Sequence, residues 1–146
     1  MAEKKTTAKG RTTRSKRKKT GAEPASRGLT AGQVAGGSEP ARVEALRRAI
    51  GDDRGTVLGA YRDPVGGHWH LLAALPIDKV APTPFQRDLS EAHVERLAGV
   101  IDKLDRFVDP IVAVRAAEGG WWTPNEHHRL AAVRGLGGRS IVALVL

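Results

Sequence analysis

The chain has no cysteine. That absence excludes disulfides, thiolate metal sites and thiol nucleophiles together, and it is compatible with a reducing cytosol. Long hydrophobic runs are also missing, none approaching the ~20 residues that cross a bilayer as a helix. The N-terminus does not resemble a secretory leader, because its basic stretch runs into Thr, Gly and Pro where an apolar segment would be required. A cytoplasmic location without membrane contact is expected, with nucleoid association open. Aromatic residues make up only 4% of the chain, and none lies between Met1 and Gly37. A segment with so little to bury does not offset its own ordering entropy, so residues 1–37 are expected to form a disordered tail and 38–146 the folded domain.

What that tail does contain is charge of one sign. Residues 1–27 hold ten basic side chains against Glu3 and Glu23, a net of +8 that equals the net charge of the whole protein; the remaining residues balance fourteen basic against fourteen acidic side chains. The sequence pI near 10.4 therefore describes the tail and not the domain. Lys4, Lys5, Lys9, Arg11, Arg14, Lys16, Arg17, Lys18 and Lys19 form a polycation that favours DNA or other nucleic acid through counterion release, without sequence preference. A solubilising extension is the alternative reading.

Periodicity divides the body into alternating elements. Val43, Leu46 and Ile50 recur at helical spacing over Glu39–Ile50, with Gly51 as a stop. "GTVLGAYRDPVGGHWHLLAALPI" reads as two strands around a Pro and Gly turn at residues 63–67. In the next helix Asp88 is the expected N-cap with Glu91 three positions on. Val94, Leu97, Ile101, Leu104 and Val108 form one apolar stripe, and Asp109-Pro110 ends it. "PIVAVRA", a turn at "EGG" and Gly120–Trp122 read as two further strands. "SIVALVL" is a last buried strand, expected at an edge closing the domain or at a cut from something longer. His68 and His70, two residues apart, are expected on one face of a strand, where a polar sheet face is a commoner outcome than a metal site.

The stretch "TPNEHHRLAAVRGLGG", residues 123–138, poses the sharpest question. Either Thr123 with Glu126 forms a capping box or Asn125 caps a helix one turn later. In both cases His127, His128 and Arg129 fall at the helix start, where the dipole disfavours cations by up to ~1 kcal/mol at exposed sites. A bound anion would reverse that sign, and free amides with an arginine and two imidazoles make a phosphate cradle. The alternative is a solvated helix start in which Glu126 neutralises Arg129. Adjacent histidines point ~100° apart on a helix, so no metal site is assigned. Gly135 is the expected left-handed cap behind Arg134, with Leu136 folding back.

The order of these signals from Leu75 onward resembles the N-terminal domain of the ParB partition proteins and the wider ParB/sulfiredoxin-like superfamily. That pattern runs strand, Gln-Pro-Arg box, helix, Pro-Ile-Val-Val strand, Gly-Gly turn, strand, Gly-Glu-Arg-Arg box opening a helix, and final strand. It covers about the last 72 residues. The resemblance implies an α+β fold, a small mixed sheet with packed helices. It also implies a nucleoside triphosphate, typically CTP with Mg²⁺, held by the two boxes, and a homodimer that closes on DNA. Arg87 matches the first-box arginine, with Gln86 directly before it because the intervening proline is absent. Arg129 matches the second arginine of the other box, His128 the first, His127 the glutamate and Glu126 the glycine. Glu126 departs from the pattern, since a glycine there admits phosphate to the backbone and a glutamate adds a side chain and a negative charge. Sulfiredoxin's own chemistry uses a cysteine that this chain lacks. Nor does the chain hold the helix-turn-helix region that follows in ParB, so operator reading by that route is not expected.

Three functions follow. The first is a ParB-like DNA-associated module, with Gln86, Arg87, Asn125, His128 and Arg129 binding a nucleotide or phosphate and the tail touching DNA. The second is a nuclease or phosphotransferase in which His127 or His128 is the general acid or base and Glu126 or Asp88 helps to hold a metal. The third is a non-catalytic interaction domain in which the tail does the work.

Overall fold

The computed structural model describes residues 21, 23–85 and 88–146. The nine tail cations from Lys4 to Lys19, and Gln86 and Arg87 of the first box, lie outside the described residues. Helix α1 spans Ala31–Val34 and α2 Ala41–Asp52, followed by the hairpin β1 (Thr56–Arg62) and β2 (Trp69–Pro76). A single 3₁₀ turn, Ile77–Lys79, leads into β3 (Val80–Pro82) and then α3 (Glu91–Leu104). The chain continues through β4 (Ile111–Arg115), β5 (Trp121–Thr123), α4 (His127–Gly135) and β6 (Ser140–Val145). Six strands form one mixed sheet in the order β1-β2-β6-β4-β5-β3. The pairs β3/β5 and β4/β6 are parallel and the others antiparallel. The fold is α+β, as expected.

Chain connectivity forces this sheet to curl. In a flat sheet β2 and β3 would stand four strand spacings of ~4.8 Å apart, about 19 Å. The link from Pro76 to Val80 reaches at most ~14 Å. The curl brings the start of β3 back over the end of β2, and the Arg134 guanidinium clamps it there by donating to the carbonyls of Ile77 (3.3 Å) and Val80. Gly120 fits the same junction because its φ is +74° and a Cβ there would lie 3.0 Å from the Lys79 carbonyl oxygen.

One face of the curled sheet builds the core. Leu71, Ala73 and Leu75 of β2, Ile111 and Ala113 of β4, Trp121 of β5, and Ile141, Ala143 and Val145 of β6 are all buried. Against them pack Val43 and Ile50 from α2 and Leu130 and Val133 from α4.

Several sequence expectations change. β6 is interior, hydrogen-bonded to β2 on one side and to β4 on the other, and its alternate residues Ile141, Ala143 and Val145 are buried in the core. Helix α3 starts after Ser90, not Asp88, and Ser90 Oγ accepts from the His93 amide at 3.4 Å. Both residues are good caps, and contact with α4 settles the choice. The apolar stripe of α3 is only partly covered. Ile101 packs on the core while Leu104 is 63% and Val108 68% exposed, because α3 rests on α4 and not on the sheet. The helix ends at Asp105, in the left-handed region at φ +50°, ahead of Asp109-Pro110. At the end of α4 the left-handed residue is Gly137 (φ +76°), while Gly135 is still helical.

Two hydrogen bonds link residues before Gly37 to the hairpin. The Leu29 amide donates to the Pro64 carbonyl at 2.8 Å and Arg62 Nη2 donates to the Gln33 carbonyl at 2.7 Å. Leu29 is thus held to the hairpin turn by a backbone hydrogen bond and Gln33 to the end of β1 by the Arg62 side chain, a source of order that needs no aromatic residue. His68 lies in that turn and not in β2, so it does not share a strand face with His70.

Candidate phosphate site where two helix N-termini meet

Helix α3 follows β3, and α4 follows β5. Because β3 and β5 are parallel, their carboxyl ends lie side by side, the position at which parallel sheets present helix N-termini to ligands. The two first turns touch. His128, in the first turn of α4, accepts through Nε2 a hydrogen bond from the Ser90 backbone N–H at 3.1 Å. His93, in the first turn of α3, sets its ring edge-on to His128 with centroids 4.8 Å apart and planes at 79°. The His127 and His128 rings lie 6.4 Å apart.

The Nε2 lone pair of His128 is thereby engaged by the Ser90 amide. His127 keeps its Nδ1 buried without a partner among the described residues. No pair of described histidines and carboxylates extends to a metal cluster, since no group of three or more His, Cys, Asp or Glu among the described residues is placed to hold an ion.

Arg129 has its compensation within the chain. Glu126 stands 3.3 Å from Nη1, and Asp109, in the loop before β4, stands 3.7 Å from Nη2. Both separations are loose for charged hydrogen bonds, and the Arg129 side chain is one-third exposed. Pairs of this kind are worth about 0–1 kcal/mol, little enough for a bound anion to replace. Glu126 is the N-cap position of α4 but makes no side-chain capping bond. Neither Thr123 nor Asn125 takes that position. Thr123 is fully buried at the end of β5, and Asn125 stays exposed in the bend between β5 and α4.

The structure therefore brings together Asn125, Glu126, His127, His128 and Arg129 with Ser90 at the start of α3. Asp88 is two residues before that cap and exposed. Gln86 and Arg87 belong to the β3–α3 connection but lie outside the described residues. Sequence reasoning missed His93, Ser90 and Asp109. No periodicity signals them, because their role arises from the way α3 and α4 pack.

A concavity of about 510 Å³ lies elsewhere, lined by Asp53, Asp78, Lys79, Glu118 and Trp122 among others. Two of its carboxylates are committed: Asp53 to Arg115, whose guanidinium sits 4.9 Å over the Trp121 ring, and Asp78 to Arg54 at 2.9 Å.

No family model matches the sequence, and no curated protein matches it. Among solved structures, sulfiredoxin from Arabidopsis thaliana is 22% identical with a TM-score of 0.44, over 51% of this chain and 83% of that one. SbnI with a C-terminal truncation from Staphylococcus aureus is 19% identical with a TM-score of 0.46, and a free serine kinase in complex with AMP is 20% identical with a TM-score of 0.46. Both are matched over 51% of this chain and 30% of theirs, so this chain spans less than a third of those two proteins. The likeness concerns fold over half the chain.

Proposed function

We propose that this chain is a ParB-like, DNA-associated module that binds a nucleotide or phosphate group where the first turns of α3 and α4 meet. The observation that supports the reading most directly is the Ser90–His128 hydrogen bond, which joins the two N-termini. Free amides of two helices then favour one anion, and the dipoles of both add to the charge of Arg129. His128 lies in the first turn of α4 and Asn125 just before it, and Gln86 and Arg87, matched to the first box by sequence, are the further ligands of the reading. CTP or another nucleoside triphosphate with Mg²⁺ is the ligand class. Mg²⁺ would let the Glu126 carboxylate and the phosphates share one cation, which offsets the repulsion that Glu126 otherwise introduces. The basic tail supplies sequence-independent contact with DNA in the cytoplasm or nucleoid, and the unit operates as a homodimer.

Calorimetric titration of the full chain with each nucleoside triphosphate plus Mg²⁺, beside an Arg129→Ala variant, tests the site. The tail is the same in both proteins, so the difference between them reports the Arg129 site alone. Saturable binding that prefers one nucleotide and weakens at least tenfold in the variant is expected. Equal binding by the two proteins would assign all affinity to the tail and defeat the reading.

The second function, a nuclease or phosphotransferase, is favoured by the grouping of the His93, His127 and His128 rings at the two first turns. Metal-dependent turnover abolished by His128→Ala, with the circular dichroism spectrum unchanged, is the expected signature. Absence of turnover in the wild type with intact nucleotide binding removes it.

A further inference from the structure

The cavity of about 510 Å³ stands apart from the α3/α4 site. Its lining residues Lys79 and Gly120 immediately precede β3 and β5, so it lies at the amino ends of the two parallel strands whose carboxyl ends carry that site. Asp53, the C-cap of α2, also lines it. A helix C-terminus is the negative end of the dipole and favours cations. This one holds Asp52 and Asp53 with no basic residue in its last turn, the sign that the dipole disfavours.

The chain already answers part of that imbalance with arginine. The Arg115 guanidinium pairs with Asp53 and lies 4.9 Å from the centroid of the Trp121 ring, so a carboxylate and an aromatic ring hold it together. The same two kinds of group recur in the cavity without a cation. Trp122, the next residue of β5, is 37% exposed. Glu118, in the turn before β5, is exposed and forms no ion pair among the described residues. Asp78 is bound to Arg54 alone, with side chains 63% and 68% exposed, a pair that a better-placed cation can replace. Trp121 lines the cavity too. It is 1% exposed, and its indole Nε1 has no hydrogen-bond partner among the described residues. A buried N–H left unmet is costly, and an oxygen of a ligand supplies what it lacks.

We propose that this cavity is a recognition site for an arginine side chain carried by a partner peptide. The guanidinium stacks on Trp122 and pairs with Glu118, repeating what Arg115 does with Trp121 and Asp53. A backbone carbonyl beside it accepts from the Trp121 indole or from Lys79, the one lysine among the lining residues. Lysine fits less well, because an ammonium is a compact, strongly hydrated charge that lacks the planar fork. The exposure of Glu118 and Trp122 suits a ligand that keeps most of its length in water, which a peptide does and an enclosed small molecule does not. The tail of this chain is the other source of arginine. The described chain starts far from the cavity, however, with Leu29 bonded to the hairpin turn at the opposite end of β1 from Asp53. The site shares no residue with the α3/α4 site, and either can fail without the other.

The test titrates the full chain with acetyl-Gly-Arg-Gly-amide and with its lysine and citrulline counterparts, following backbone and indole N–H signals by NMR. Saturable shifts at Trp121 and Trp122 are expected, with arginine bound more tightly than lysine and the neutral citrulline peptide giving none. Glu118→Gln and Trp122→Leu should each weaken the arginine peptide by about threefold or more. Absence of saturable shifts, equal binding of the arginine peptide and either counterpart, or unchanged affinity in either variant overturns the proposal. If Trp122→Leu does not fold, the peptide series and Glu118→Gln, in an exposed turn, decide. A full-chain variant combining Arg11→Gln, Arg14→Gln and Arg17→Gln separates the two sources of arginine. Unchanged peptide affinity is expected; tighter binding, from loss of an internal competitor, would give the cavity to the tail and overturn the assignment to a partner.

Discussion

At the scale of single residues, the hairpin turn shows how much one carboxylate can organise. Asp63 accepts hydrogen bonds from the amides of Gly66 (2.8 Å), His68 (2.7 Å) and Val65 (3.0 Å). The Gly66 amide, then those of His68 and Val65, hold its carboxyl below the usual carboxylate range. A depressed folded value stabilises the native state at every pH above the unfolded value near ~3.9 and is lost as pH falls through the folded value. Asp63→Ala is therefore expected to lower the melting temperature at pH 7 and to shrink its decline below pH 4. Thermal melts from pH 2 to 7 check this, and an unchanged acid limb would count against it. Glu39 follows the same sign, since its bidentate bond to Arg47 (2.7 and 2.8 Å) holds its carboxyl low and keeps Arg47 charged.

At the scale of elements, α4 has two separate tasks. Its first turn carries the candidate site, and its inward side anchors the sheet. Leu130 is fully buried, so Leu130→Ala should cost about 2–5 kcal/mol in denaturant unfolding. Arg129→Ala, one position earlier, should leave stability within ~1 kcal/mol while removing ligand affinity. The turn after α4 is equally constrained. A Cβ on Gly138 would lie 2.5 Å from Val133 Cγ1 and 3.0 Å from the Val133 carbonyl oxygen, and Gly138→Ala is expected to destabilise by about 1–3 kcal/mol through overpacking. Gly99→Ala, on α3 with nothing within 4 Å, should instead stabilise by up to ~1 kcal/mol, since alanine replaces glycine in a helix interior. Equal unfolding midpoints for these two variants would contradict the assigned geometry.

At the scale of the whole molecule, net charge and core are segregated. The tail carries the net charge and the curled sheet carries the core. Removing residues 1–20 should therefore leave the unfolding midpoint unchanged and collapse DNA affinity. Each phosphate contact contributes about −0.9 to the slope of log K against log salt, so the full chain should show a slope several units steeper than the truncated one. Fluorescence anisotropy on a labelled duplex at 50 to 300 mM salt measures both. A truncated chain that retains the slope would place the cationic surface in the body, against its balanced composition.

Much of the fold was legible in the sequence because periodicity and turn residues act locally. The hairpin around residues 63–67, helix α2, the strands β4 to β6 and the existence of α3 and α4 all follow from spacing. So does the clustering of Asn125 to Arg129, which are neighbours in the chain. The sequence alone also determined the separation of a basic tail from a neutral body, since that is a count of charges. Only the tertiary structure decided the rest, because it depends on contacts between residues far apart in the chain. Ser90 displaced Asp88 as the cap when His128 took its amide, and Asp109 came to Arg129 through the loop before β4. β6 moved from an expected edge to the interior, where its two-sided apolar run is satisfied on the core side and left open on the other. Local energies of about 1 kcal/mol rank such alternatives too closely to separate them, and packing supplies the difference.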